Sequence, residues 1–423
     1  MPSNKVSIVI PIIRPEKAKR CIDAIHLNAG VPIDHYEILT EEDTRRIGCP
    51  EMVKRLVERS TNDLICFLGD DTIPQPNFLK IAIDMMAKLP DGWGLVGLND
   101  KYNDQHGPFT HWLAHRNLLK FTDGEFFHTG YKHTYCDNEL KDRAMEIGHC
   151  GWARNAIVEH DHPMNKKETL TGDYERVYSD EYIEHDQWLY KTRKIKRKLD
   201  RGECDVGLGL PITDSKVYTQ FFTSFTLMEK PDSCILLMPK FPGPIEAIRN
   251  TLVLKAIDSE CTHLLMMDTD QIYPADTITK LMSHGKDIVA GVIHRRYAPY
   301  DAILYSGEIN QYIHLPDELC YSGDLIKVSA TGCGCVLYNM KCFFDIPSPW
   351  FETRISEETG KVIGEDIDFC DKLNKKGYEI YVDTSIQIEH LMLQVVDRNL
   401  HKLFKKIHNF EWKQLGKREV DNK

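Results

Sequence analysis

The chain has 423 residues, 42% of them apolar and 28% charged, which excludes a disordered polymer and exceeds what one ordinary core encloses. Its formal net charge of -11 argues against a general polyanion binder, although it leaves room for a local basic patch. Thirteen scattered cysteines, the nearest two being Cys333 and Cys335, form no CxxC pair, so reduced thiols in the cytoplasm are expected rather than a disulfide framework or a zinc site.

In chain order, MPSNKVSIVIPIIRPEKAKR has neither the long apolar stretch nor the small-residue cleavage site of a signal peptide. Nowhere does an apolar run reach the roughly 18–20 residues that span a bilayer. VSIVIPI (Val6–Ile12) reads as a buried parallel strand, β-branched and closed by a proline. Pro15–Ile25 has helical spacing, with Ala18, Cys21, Ile22 and Ile25 on one face. LICFLGDDTIPQPNFLKIAIDMM (Leu64–Met86) is an apolar strand, the acidic pair Asp70–Asp71, prolines and an amphipathic helix. CDNELKDRAMEIG (Cys136–Gly148) follows with Asp137 near its start, and then His160 and His162. The basic stretch KTRKIKRKLDRGE (Lys191–Glu203) is expected to mark a domain boundary, as a linker or a solvated helix face.

The same order then returns. DVGLGLPITDSKVYTQFFTSFTLM repeats strand, proline, loop and helix, with Pro211 standing 200 positions after Pro11. THLLMMDTDQIYPADTITKLM repeats the strand, acids, proline and helix, and Asp270 lies 199 positions after Asp71. In EDIDFCDKLNKKG (Glu365–Gly377), Asp366 corresponds to Asp137, and His390 follows it by 24 residues where His160 follows Asp137 by 23. The second copy carries about 30 extra residues, placed in His294–Ala330 as turns and short strands. Two such units predict tandem α/β domains with mostly parallel sheets, which bind ligands at the carboxyl ends of their strands.

The acids lie at those ends. Residues i and i+2 of a strand point the same way, so Asp268 and Asp270 can face one ion, and hard oxygen donors suit Mg²⁺ or Mn²⁺. Upstream, Gly243–Ile257 reads as a helix whose Arg249 either grips a diphosphate or pairs on the surface with Glu246. TGCGC (Thr331–Cys335) permits a close backbone approach or makes a plain tight turn. Asp366 is a helix cap, or a base that takes a proton from a hydroxyl in a cleft. His390 is structural, a metal ligand or a phosphate contact.

Taken together, the strand with proline, Arg249–Asn250 before the acidic strand, DTD, the glycine turn, ED heading a helix and a final histidine resemble the family-2-like glycosyltransferases of the GT-A fold. The resemblance covers most of Asp205 to Leu391 and, more loosely, residues 1 to about 200. It implies two tandem GT-A, Rossmann-like domains (1–200 and 203–392) and a helical tail (393–423). It further implies a nucleotide-sugar donor, UDP-sugar favoured, a hydroxyl acceptor and a Mn²⁺ or Mg²⁺ cofactor. By it Asp270 is a metal ligand, Asp268 contacts donor ribose or metal, Arg249, Asn250 and Pro211 hold the donor, Asp366 is the base beside Glu365, and His390 completes the site. In the first copy Asp70 contacts the donor, Asp71 with His160 or His162 holds metal, Asp137 is the base, and Tyr36–Asp43, with Glu41, lies where the base of the nucleotide binds. Gly69 and Cys136 depart from the pattern, standing where the second copy has Asp268 and Glu365. Tandem modules resemble bifunctional polysaccharide polymerases, so a glycan acceptor is expected, with a modified base in DNA or a non-catalytic scaffold as alternatives. The tail carries Leu400, Leu403, Phe404 and Ile407 at helical spacing between lysines, a face that packs on the protein or makes peripheral contact with a membrane.

Overall fold

A computed structural model describes residues 5–166, 169–170, 172–213, 216–309, 311–393 and 397–408; residues 394–396 and 409–423 of the expected tail lie outside it. The chain divides into two compact units, Met1–Arg201 and Gly202–Lys423.

In the first unit β1 (Val6–Ile12), α1 (Pro15–Asn28), β2 (Tyr36–Glu42), α2 (Cys49–Arg59) and β3 (Leu64–Phe67) form two β-α-β turns. They are followed by β4 (Thr72–Pro74), α3 (Phe78–Met86), β5 (Leu95–Asn99), β6 (Trp112–His115), α4 (Cys136–Glu146), β7 (Cys150–His160), α5 (Asp173–Val177) and α6 (Asp180–Asp200). The sheet order is β2-β1-β3-β6-β5-β7-β4, with only β6 and β4 running against the rest. Alternation along β1 puts helices on both faces: Val6, Ile8 and Ile10 pack with Cys21, Ile25, Phe78 and Ala82, while Val9 packs with Val53, Leu56 and Val57. Each such buried aliphatic contributes about 1.5–3 kcal/mol by removal from water.

The second unit contains β8 (Val206–Gly209), α7 (Thr219–Leu227), β9 (Cys234–Leu237), α8 (Ile245–Asp258), β10 (His263–Met267), β11 (Gln271–Ile272), α9 (Thr277–Ser283) and β12 (Ile288–Val292). The added segment follows as β13 (Leu304–Ser306), β14 (Ile313–His314), α10 (Asp317–Cys320), β15 (Leu325–Val328) and β16 (Ala330–Thr331). Then come β17 (Cys335–Asn339), α11 (Lys341–Asp345), β18 (Arg354–Ile355), β19 (Val362–Ile363), α12 (Glu365–Lys376), β20 (Ile380–Gln387), β21 (Glu389–His390) and α13 (Arg398–His408). The sheet order β15-β20-β12-β17-β10-β8-β9 reproduces six strands of the first unit in order, with β15 at the edge where the first sheet has β4, and β11 pairs with β21 in a separate two-stranded sheet. The pairing of β11 with β21 repeats that of β4 with β7, setting Gln271 opposite His390 as Thr72 is set opposite His160. Both sheets also break register at the matching place, after Leu98 and after Gly291.

Two sequence expectations need correction. Lys191–Asp200 is no linker but the end of α6, because Arg193 and Arg197 reach the buried carboxylate of Glu139 on α4 at 2.9 Å. The tail helix α13 does not bury its apolar face as expected, Leu403, Phe404 and Ile407 each being more than half accessible. Among the described residues no helix is long and apolar enough to cross a membrane.

Candidate active sites

In the first unit, side chains converge at the carboxyl ends of β1 and β3 on a cavity of about 430 Å³. Its lining includes Arg14, Asp43, Asp70, Asp71, His111, Asp137, His160, His162 and Tyr174. The chain turns from β1 into α1 at Ile13–Arg14, and both backbone N–H groups donate to Asp70 Oδ2 at 2.7 Å. The Arg14 guanidinium clasps Asp70 Oδ1 through Nε (2.9 Å) and Nη2, reaches Asp71 Oδ2 at 3.1 Å and lies over the Tyr174 ring at 4.3 Å. Asp71 also accepts from Tyr174 Oη (2.6 Å) and faces His160 Nε2 at 3.4 Å. Burial works against its charge, but His160, Arg14 and Tyr174 outweigh burial and hold it far below the ordinary carboxylate range.

Asp137 occupies the first turn of α4, just after the Tyr135 cap position, and accepts from Asn138 N–H at 3.0 Å. Burial pushes its carboxyl up to about 6, with the charge of Asp100 adding to the rise. Burial, then His160, pushes His111 down to about 3, and neither of its ring nitrogens has a hydrogen-bond partner. His162 is pushed down to about 4 by burial and His160; its ring meets Tyr174 edge-on at 4.6 Å.

In the second unit Arg249 of α8 is buried at 4% exposure instead of pairing with Glu246 at the surface. Its Nη2 donates to Asp268 Oδ1 at 3.1 Å, and Nη1 lies 3.1 Å from Glu365 Oε1 without the alignment of a hydrogen bond. The TGCGC turn is a close approach. A Cβ on Gly334 would fall 2.3 Å from Gln271 Nε2 and 2.9 Å from Asp268 Oδ2, and one on Gly332 would sit 3.5 Å from Asp366 Oδ2. Glu365 and Asp366 open α12, where Asp366 Oδ1 accepts from Ile367 N–H at 2.8 Å, matching Asp137 on α4. Burial raises both carboxyl groups above their ordinary range, and the Arg249 charge only partly offsets it.

Asp270 faces His390 Nε2 at 3.5 Å through Oδ1 and Arg296 at 2.7 Å through Oδ2. His390 Nδ1 lies 2.6 Å from the His294 carbonyl oxygen, which only accepts, so Nδ1 carries a proton. In the neutral ring, Nε2 is then a bare lone pair, buried and without an aligned donor, aimed at a carboxylate. Two acceptors facing each other need a proton or a cation between them. Burial lowers the ring's proton affinity, but the Asp270 charge and the His294 carbonyl raise it on balance. A carboxylate pair with an imidazole oriented through its far nitrogen fits a divalent cation, and Asp268, Asp270 and His390 are the residues that would hold one. Among the described residues no three His, Cys, Asp or Glu side chains already converge as a formed metal centre.

The donor set of the first unit does not fit in the same way. Both oxygens of Asp70 and both of Asp71 are engaged by Arg14, backbone N–H groups, Tyr174 and His160. The expectation that Asp71 with His160 or His162 binds metal therefore meets a fixed arginine already in place. Two further expectations change. Glu41 pairs outward with Arg59 at 2.8 Å and Arg55 at 3.5 Å, while Asp43, bonded to Ile47 and Gly48 N–H groups, lines the cavity. Asn250 has no polar atom to spare for a donor: its amide bonds Glu246 O, Phe351 O, and the N–H groups of Trp350 and Phe351. Pro211 is buried just after β8.

Arg14, His111, Tyr174 and Arg296 were not anticipated. Only Arg14 carried a signal, its place directly after the first strand; His111 and Arg296 come from loops and Tyr174 from the short helix α5, whose return to the site no local pattern encodes.

No protein-family model matches the sequence, and no curated protein matches it. Among solved structures, similarity is found to the mannosyltransferase PcManGT from Pyrobaculum calidifontis in complex with GDP-Man and Mn²⁺, at 13% identity over 47% of this chain and 63% of that one, with a TM-score of 0.33. It is also found to S. aureus TarS 1-349, at 12% identity over 46% of this chain and 72% of that one, with a TM-score of 0.32.

Proposed function

We propose that the protein is a glycosyltransferase that moves a sugar from a nucleotide-sugar donor to an acceptor hydroxyl, with a divalent cation held in the C-terminal unit. One observation carries the reading: the bond through Nδ1 leaves Nε2 as the acceptor nitrogen of the neutral His390 ring, and it faces Asp270, two residues from Asp268. Mn²⁺ or Mg²⁺ bound there would neutralise charge growing on the leaving diphosphate. Arg249 adds a fixed positive charge, with Nε and Nη1 not committed to hydrogen bonds. Asp366 takes the acceptor proton; burial suits it to that work by raising its affinity toward the pH of use. Attack from the face opposite the diphosphate inverts the anomeric centre.

The first unit repeats the base position with Asp137, which supports two transfer sites and a glycan built from two sugars. The alternative acceptor, a base in DNA, loses part of its support because Arg193 and Arg197 are spent on Glu139. UDP-, GDP- and CMP-sugars assayed with the full chain test the reading. Manganese-dependent release of sugar from at least one donor, abolished in Asp270→Ala, is expected; release unchanged by that substitution overturns it.

A further inference from the structure

We infer that the N-terminal site binds its nucleotide diphosphate without a divalent cation, with Arg14 occupying the cation's place. The inference rests on the glycosyltransferase reading and concerns the unit in which the acids do not fit a metal. Arg14 is held on every side: Nε and Nη2 on Asp70, Nη1 on Asp71, and the Tyr174 ring across its face. Its own backbone N–H also binds Asp70, so the side chain and the strand–helix turn are fixed by one carboxylate. A guanidinium so placed is one permanent charge clasping both acids at once, whereas in the other unit Asp268 and Asp270 are met by two separate arginines, Arg249 and Arg296. In the second unit Arg296 also touches Asp270, but it is 58% exposed, has one ion pair and leaves Asp268 Oδ2 facing the Gly334 turn. Gly69 completes the difference. It removes the carboxylate that Asp268 supplies, and a Cβ there would press Asp71 Oδ1 at 3.0 Å.

Arg14 remains 27% exposed into the cavity, so it can present donors to a ligand while holding both acids. Lys132 and Arg176 line the same cavity and supply further positive charge. Lys132 pairs with the exposed Glu181, and Arg176 with Asp173, which itself lines the cavity.

Manganese titration of the full chain, followed by the loss of free Mn²⁺ signal in electron paramagnetic resonance, tests the inference. One equivalent is expected in the wild type and none in Asp270→Ala. Two equivalents, or one that survives Asp270→Ala and is lost in Asp71→Asn, overturns it. If wild type binds no manganese, the reading of the C-terminal site fails instead, and a second measurement decides this one. In Asp270→Ala with excess EDTA, UDP or GDP should still bind, and adding Arg14→Gln should weaken that binding about tenfold or more, as loss of a charge-assisted bond does. Binding of neither nucleotide in EDTA, or binding indifferent to Arg14→Gln, refutes it.

Discussion

In the N-terminal unit the acids at the end of the third strand are saturated by the protein itself; in the C-terminal unit Asp268 meets Arg249 through one oxygen, and Asp270 faces an imidazole and the exposed Arg296. The two sheets share the order of six strands and the residue pairing of the last short strands. Among the differences at the acids are one arginine placed directly after the first strand and one glycine in place of an aspartate. A shared order of strands thus fixes where charge gathers in each unit, while the residues around it decide which counter-charge meets it.

The largest expected effect would show whether both units are catalytic. Asp366→Asn should lower transfer by about 10²–10⁴-fold with donor binding retained, and Asp137→Asn should do the same to a second, separable transfer. Product analysis with each variant checks this; a chain whose entire output survives Asp137→Asn has one working unit.

Next in size is the buried arginine. Arg249→Met leaves Asp268 and Glu365 without their shared cation and should destabilise the second unit by about 3–5 kcal/mol. Arg14→Met should cost the first unit less, since Asp70 keeps two backbone N–H donors. Urea unfolding followed separately for the two units distinguishes them.

The glycines sharpen the contrast further. Gly334→Ala drives a methyl into Gln271 Nε2 and should cost about 1–3 kcal/mol, whereas Gly69→Ala meets nothing nearer than 3.0 Å and should cost less. Thermal melts suffice.

The smallest effect is a pH slope. Between its ordinary value of 3.8 and about 6, Asp137 is protonated in the folded chain but ionised in the unfolded one. The unfolded state therefore binds fewer protons in that window, and stability falls as pH rises through it. Above about pH 6 the penalty is complete. Asp137→Asn should remove the slope and gain about 1 kcal/mol at neutral pH, after discounting for partial solvent access. Melting temperature against pH for both proteins is the measurement. Activity assigned to this unit should rise over the same range in wild type, as the base loses its proton.

Much of this was legible before any coordinates. Strands such as Val6–Ile12 announce themselves by β-branched runs, and the spacing from Asp71 to Asp270 and from Pro11 to Pro211 reports the duplication directly. The added segment at His294–Ala330 was also placed correctly, and it supplies the edge strand β15. The partners of the acids were not legible. Arg14 to Asp70, Tyr174 to Asp71 and Arg296 to Asp270 are contacts between distant segments, set by how loops return to the strand ends. Lys191–Asp200 misled for the same reason: a run of cations looks like a solvated surface until the buried Glu139 is placed opposite it. Asn250 misled because an amide next to a useful arginine is equally suited to tying down Trp350 and Phe351.

The two-residue pairing of β11 with β21 has a practical corollary for shortening the protein. His390 is the last residue of that pairing, and Leu391 N–H is bonded to the Asp270 carbonyl at 2.8 Å. A stop codon placed beyond Leu391 keeps His390 and its pairing, whereas one placed three codons earlier takes the imidazole and unlatches the loop carrying Asp270. Serial C-terminal deletions should therefore lose function in one step at that boundary, not by degrees.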